Sequence, residues 1–269
     1  MKINTLVLSV ILLFTGSVFQ ACNKDDDSGG GSWFNVFSIE DDKEIGAQLD
    51  AEIRSKPQEY PILNENDHQP AYQYIKDLRD EILISENVAY RNEFEWKVTI
   101  INDDVLNAFV APGGYIYVYT GLIKYLDSKD ELAGVLGHEI AHADLRHSTE
   151  ALTKQTSISL VAEVLLGENQ GAITELAQGL LALKFSRSNE SEADEFSVVY
   201  LCETKYNASG AAGFFEKLDA EGGQRPLEFL STHPNPDNRV VAINDKETEL
   251  GCSGDVTISD YDDLKNSLP

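Results

Sequence analysis

Two histidines four residues apart constrain this chain more than any other feature. They stand in His138-Glu139-Ile140-Ala141-His142, within a segment opened by Ser128-Lys129-Asp130-Glu131. A serine with a glutamate three positions on caps a helix start, so a helix is predicted to run from Ser128 through the motif. Each helical residue turns the chain by about 100°, which leaves positions i and i+4 only about 40° apart. Both imidazoles then project from one face and can share one metal ion, with Glu139 beside them as a base. Leu132, Leu136, Ile140 and Ala143 form a separate apolar stripe toward a core, while Gly134 and Ala141 flank the histidine face and leave room for a second element. Two histidines leave a catalytic zinc site one protein ligand short. The three-histidine extension of the motif needs glycine at 145 and histidine at 148, and Leu145 and Ser148 exclude it. A downstream glutamate is the alternative. Glu163, Glu168, Glu175, Glu190, Glu192 and Glu195 all qualify, and spacing does not choose among them. On a continuing helix His147 lies about 140° round from His142; it faces away from the metal and reads as a helix C-terminal charge.

The first residues read as an export signal. Lys2 precedes an apolar run from Leu6 to Phe19, and Ala21 stands directly before Cys22. That layout is a secretory signal, and its Ala-Cys junction resembles a bacterial lipobox, in which Cys22 carries the lipid. Residues 22–32 are acidic and rich in Gly and Ser, a solvated tether; Lys24 to Asp27 also resemble the acidic export address of surface lipoproteins. No later stretch reaches the ~20 apolar residues of a membrane span. The formal net charge of -25 repels phosphate backbones, so nucleic acid is excluded as a partner. Residues 33–269 remain, read as one domain.

Within it, Ser38-Ile39-Glu40-Asp41 predicts a helix to about Arg54, and Gln69 to Ile84 a second. Glu95 to Ile101 alternates as a strand. Phe109–Ala111, Pro112-Gly113-Gly114 and Tyr115–Tyr119 predict a hairpin. Beyond Ser128 the pattern is helical almost to Leu218. The fold class is therefore α+β, mainly helical, with a small sheet preceding the motif helix.

Three further blocks carry a resemblance. Ser186-Arg187-Ser188-Asn189-Glu190-Ser191-Glu192-Ala193-Asp194 resembles the SRxxExxAD signature of the HtpX/BepA-like zinc endopeptidases, metallopeptidase family 48. Asn107 to Ile116 resembles that family's strand before the zinc helix, and Ser231-Thr232-His233-Pro234, with Arg239 beyond, its third block. The resemblance implies a zincin-like endopeptidase domain with one Zn2+, held by His138, His142 and Glu190, and Glu139 as general base. Asp194, four residues beyond Glu190 on the same helix face, would accept a ring N–H from a ligand histidine. His233 and Arg239 would stabilise the oxyanion, His233 with the further option of closing the metal at rest. An extended substrate would add as a strand along Asn107, Ala108, Phe109, Val110, Tyr115 and Tyr117. Unfolded or misassembled envelope proteins would be the substrates of such an outer-membrane lipoprotein, periplasmic or surface-exposed. The competing readings are a catalytically restrained, chaperone-like zinc-binding module and a structural surface lipoprotein. Cys202 and Cys252 are the cysteines left once Cys22 is lipidated, and an oxidising compartment predicts a disulfide between them.

Overall fold

The computed structural model describes residues 35–155, 160, 163, 170–181, 183–221, 228–234, 238–252, 254 and 261–269. The expected signal, Cys22 and the tether lie outside the described residues, as do Pro236 and Asp237.

Helix α1 (Ile39–Arg54) starts where Ser38 and Asp41 close a reciprocal cap, and α2 (Gln69–Ile82) follows. Strands β1 (Lys97–Ile101), β2 (Ala108–Ala111) and β3 (Tyr115–Tyr119) form one sheet in the order β1-β3-β2. β2 and β3 are the expected hairpin, pairing Val110 with Ile116, and its turn uses Gly113 and Gly114 at φ 74° and 86°, where a Cβ would be strained. β1 runs parallel to β3, pairing Thr99 with Tyr117.

That order corrects one expectation. β3 is central and its backbone is paired on both sides, so Tyr115 and Tyr117 offer no edge to a substrate. Tyr117 is buried instead, its hydroxyl donating to Asp50 at 2.9 Å and its ring stacked on Phe109. In this hairpin only β2, with Asn107 before it, retains an outer edge.

Short α3 (Thr120–Tyr125) leads to α4 (Lys129–Asp144), the motif helix. Ser128 caps it by accepting from the Glu131 N–H, but Glu131 returns its carboxylate to the N–H of Asp127 rather than Ser128. Every residue from Leu132 to Asp144 is buried. The apolar stripe was thus only part of the story: a helix covered on all sides is a core element. Around it lie α5 (His147–Gln155), α6 (Gln170–Leu180), α7 (Arg187–Leu201), α8 (Gly210–Ala220), α9 (Glu228–Thr232), α10 (Arg239–Leu250) and α11 (Tyr261–Asn266). Gly134 lets α8 approach α4 backbone to backbone, and Gly137 admits Ser197 of α7, whose hydroxyl donates to the Gly134 carbonyl at 3.0 Å. No helix among the described residues is long and apolar enough to cross a membrane.

Candidate metal centre

Four elements converge on one buried point. α4 supplies His138 and His142, and α7 supplies Glu190. His233 follows α9 with its N–H bonded back to the Phe229 carbonyl, and Arg239 opens α10. On α7, Ser186 and Asn189 form a reciprocal cap that fixes the helix start. Glu190 therefore sits in the first turn, where the positive end of the helix dipole favours a carboxylate.

The donor atoms lie close together. His142 Nε2 is 3.0 Å from His138 Nε2 and 3.3 Å from Glu190 Oε1. His138 Nε2 is 3.4 Å from Glu190 Oε2 and 3.4 Å from His233 Nδ1, which is itself 3.1 Å from Glu190 Oε1. One ligand atom from each of His138, His142, Glu190 and His233 fits within 4.8 Å of the others. All four residues are at most 1% exposed.

This donor set suits a cation. His138 Nδ1 lies 2.9 Å from Asp194 Oδ1, which requires the ring proton there and leaves a lone pair on Nε2. That lone pair points at His142 Nε2 and at a carboxylate, an arrangement that a shared positive ion satisfies. A cation there competes with a proton: burial pulls the His138 imidazole down, but Asp194 and Glu190 outweigh it and raise the group to about 9, so a bound metal must displace the proton from Nε2. Burial also acts to raise Glu190, yet His233 and His142 hold it well below the usual carboxylate range. His142 is pushed well down, chiefly by burial.

Glu139 is fully buried, burial raises its pKa, and among the described residues neither carboxylate oxygen has a hydrogen-bond partner. Its Oε1 lies 3.6 Å from His233 Nε2, likewise unpartnered. Arg239 reaches Asp194 with Nε and with one terminal nitrogen, both at 2.7 Å, and Glu190 Oε2 at 3.2 Å, over the face of Phe215. Among the described residues both its Nη1 and its Nε are buried without a hydrogen-bond partner, Nε lying only at ion-pair distance from Asp194. α10 begins at Arg239, preceded by Asn238 in the left-handed region, and runs to Leu250. Asn107 is buried, its side-chain oxygen without a partner among the described residues, next to Ala108, Phe109 and Val110. A disulfide joins Cys202, at the end of α7, to Cys252, just past α10, so the helix bearing Glu190 is tied to the helix bearing Arg239.

His147 is a correction. It is 1% exposed, and its Nδ1 lies 2.9 Å from His142 Nδ1. α4 does not continue through it. The helix ends at Asp144, and Arg146 takes φ 60°, reversing the chain so that His147 opens α5 against the ligand it was expected to face away from. Left-handed backbone costs a non-glycine residue about 1–2 kcal/mol. Here it is held by the Arg146 guanidinium, which reaches both oxygens of buried Asp42 at 2.5 and 3.0 Å and the Phe37 and Ser38 carbonyls. Periodicity carries no trace of such a turn, and no glycine marks it.

Comparison with known proteins agrees with this geometry. The family model described as "Peptidase family M48" matches residues 72–247. The chain is 31% identical over 218 residues to the mitochondrial metalloendopeptidase OMA1 of Schizosaccharomyces pombe, covering 79% of this chain and 63% of that protein. It is 27% identical over 238 residues to the beta-barrel assembly-enhancing protease of Escherichia coli K12, covering 82% and 47%. A putative protease of the same description from Vibrio cholerae is 31% identical over 196 residues, covering 67% and 38%. The match thus spans less than two thirds of each of these relatives.

Proposed function

This chain belongs to peptidase family M48; on that premise we propose that it is a peptide hydrolase, a zinc-dependent endopeptidase with His138, His142 and Glu190 as ligands. The observation that carries the reading is the buried cluster of imidazole and carboxylate donors with an unpartnered Glu139 beside it. Bound there, zinc would supply Lewis acidity and a water whose pKa falls to about 7. Glu139 takes the proton from the attacking water and delivers it to the leaving amine nitrogen. Asp194 holds His138 with Nε2 free, and Arg239 in turn steadies Asp194 and Glu190. The unpartnered His233 Nε2 and Arg239 Nη1 are assigned to the developing oxyanion. Losing one such donor typically costs ~100- to 1,000-fold in turnover. The substrate adds as a strand to β2, reading Asn107 to Val110.

His233 supports a second reading, because its Nδ1 belongs to the donor cluster. Four protein ligands would close the metal at rest and give a restrained enzyme or a chaperone-like binding module. His233→Ala separates the two: lower kcat assigns it to the oxyanion, and higher basal activity assigns it to closure.

We place the catalytic domain, residues 33–269, on a lipid tether at Cys22 of a bacterial outer membrane, facing periplasm or exterior and acting on misassembled envelope polypeptides. The signal-like N-terminus, the Cys202–Cys252 disulfide and the relatives named for beta-barrel assembly support this. The relatives named as mitochondrial speak for another compartment.

The test is metal content with casein hydrolysis. Purified protein should carry one zinc per chain, lose activity to a chelator and regain it with zinc. Glu190→Ala should lose the metal, while Glu195→Ala, whose carboxylate pairs with Lys246, should keep it. The reverse pattern would overturn the ligand assignment.

A further inference from the structure

Both motif histidines turn Nε2 toward the cluster, but their outer nitrogens meet different partners. His138 Nδ1 faces the Asp194 carboxylate. His142 Nδ1 faces another imidazole, His147 Nδ1, at 2.9 Å, and His147 Nε2 faces Glu192 Oε2 at 3.3 Å. Phe185 stacks on the His142 ring with centroids 4.0 Å apart, restricting how that ring can tilt.

Resting on the metal reading above, we propose that His147 is a positioning residue for the zinc site: it fixes the tautomer and orientation of His142 and is itself fixed by Glu192. The proton bookkeeping leaves one self-consistent arrangement for the neutral rings. For His142 to offer Nε2 to a cation, its proton must sit on Nδ1. An N–H at 2.9 Å from His147 Nδ1 requires a lone pair there, so the His147 proton sits on Nε2, where Glu192 accepts it. Two protonated Nδ1 atoms at that distance would repel, and two bare ones would leave His142 with its proton on the nitrogen the metal needs. The chain runs from a fully buried ligand to a half-exposed carboxylate.

The sequence builds this relay twice over. Glu190, Glu192 and Asp194 alternate along α7, so one helix start supplies a metal ligand, the anchor of the His142 chain and the partner of His138. The reversal at Arg146, held by Asp42 of α1, puts His147 in place from the other side.

The experiment compares wild type with His147→Phe, His147→Asn and Glu192→Ala as purified zinc-loaded full chains. Zinc affinity is read by competition with a chromophoric chelator, and proton positions by long-range imidazole 15N–1H spectra. Wild type should show the His142 proton on Nδ1 and the His147 proton on Nε2. Loss of such an outer partner typically costs about 10- to 100-fold in metal affinity, and His147→Phe should show it. His147→Asn should recover most of that, because its amide oxygen stands where Nδ1 stood and can accept the same N–H. Glu192→Ala should weaken zinc less than His147→Phe does. Wild-type zinc affinity in His147→Phe would overturn the proposal, as would a His142 proton on Nε2 in the loaded wild type. Should the phenylalanine variant not fold, the asparagine variant and the wild-type spectra decide alone. A wild-type chain that binds no zinc would instead overturn the metal reading, and this inference with it.

Discussion

Gly134→Ala is the sharpest structural test of how the metal helix is held. A Cβ at 134 would lie 2.1 Å from the Ala211 backbone nitrogen and 2.7 Å from both the Ala211 Cα and the Gly210 carbonyl carbon. Carbon atoms are content at about 3.5–4.0 Å, so α4 and α8 must part by more than an ångström. The atoms met are backbone, and no rotamer change relieves them. Overpacking of this kind costs about 1–3 kcal/mol and occasionally more, against a helix-propensity gain of about 1 kcal/mol for replacing glycine by alanine. Taking the upper end, a net loss of about 2 kcal/mol is expected, or a fall of roughly 4–8 °C in Tm at about 2–4 °C per kcal/mol. Two controls calibrate it. Gly179→Ala on α6 meets nothing within 4 Å among the described residues and should stabilise by about 1 kcal/mol. Gly137→Ala meets the Ser197 hydroxyl at 2.7 Å, which can rotate away at the loss of one hydrogen bond of about 1 kcal/mol, so it should be near neutral. The assay is urea unfolding of the metal-stripped proteins. If Gly134→Ala is as stable as Gly179→Ala, the close approach of α4 and α8 is wrong. His138, one turn further along the same face, makes weaker zinc binding the accompanying result.

Other outcomes follow from the same contacts. Reducing the Cys202–Cys252 disulfide opens a 50-residue loop and should cost about 4 kcal/mol on the loop-entropy model, read as a shift in the urea midpoint of the Cys202→Ser, Cys252→Ser pair. For Asp50, burial acts to raise the carboxyl, but hydrogen bonds from Arg54, Lys97 and Tyr117 outweigh it and hold the group below its ordinary 3.8. A depressed folded value contributes stability above the unfolded one and loses it as pH falls through the folded one. Asp50→Asn should therefore be less stable at pH 7, with the gap narrowing as pH falls below about 3.8; a gap that widens on acidification would refute the sign. Cys22→Ser should abolish metabolic lipid labelling, and labelling that survives would remove Cys22 as the anchor.

Much of the fold was legible because its signals are local. Ser38, Ser128 and the hairpin glycines mark their elements by chemistry within three or four residues. The sheet order was not, because the parallel pairing of β1 with β3 depends on packing against α1 and α2, and it moves Tyr115 and Tyr117 from a supposed edge to the centre. In the site, His138 and His142 follow from helical spacing alone. Glu190 did not separate from five other glutamates without the family blocks, and His233 reaches the cluster from 95 residues beyond His138. His147 departs from helical spacing because a left-handed arginine, held by a buried aspartate some 100 residues earlier, breaks the period.

The central claim is that a protein base beside a bound metal does the chemistry. It is tested most directly by the casein hydrolysis rate of Glu139→Gln at zinc content equal to wild type. Removing a base while leaving every ligand should leave one zinc per chain and nearly no turnover. Glu139→Gln that retains its zinc and cleaves casein at the wild-type rate would contradict the account.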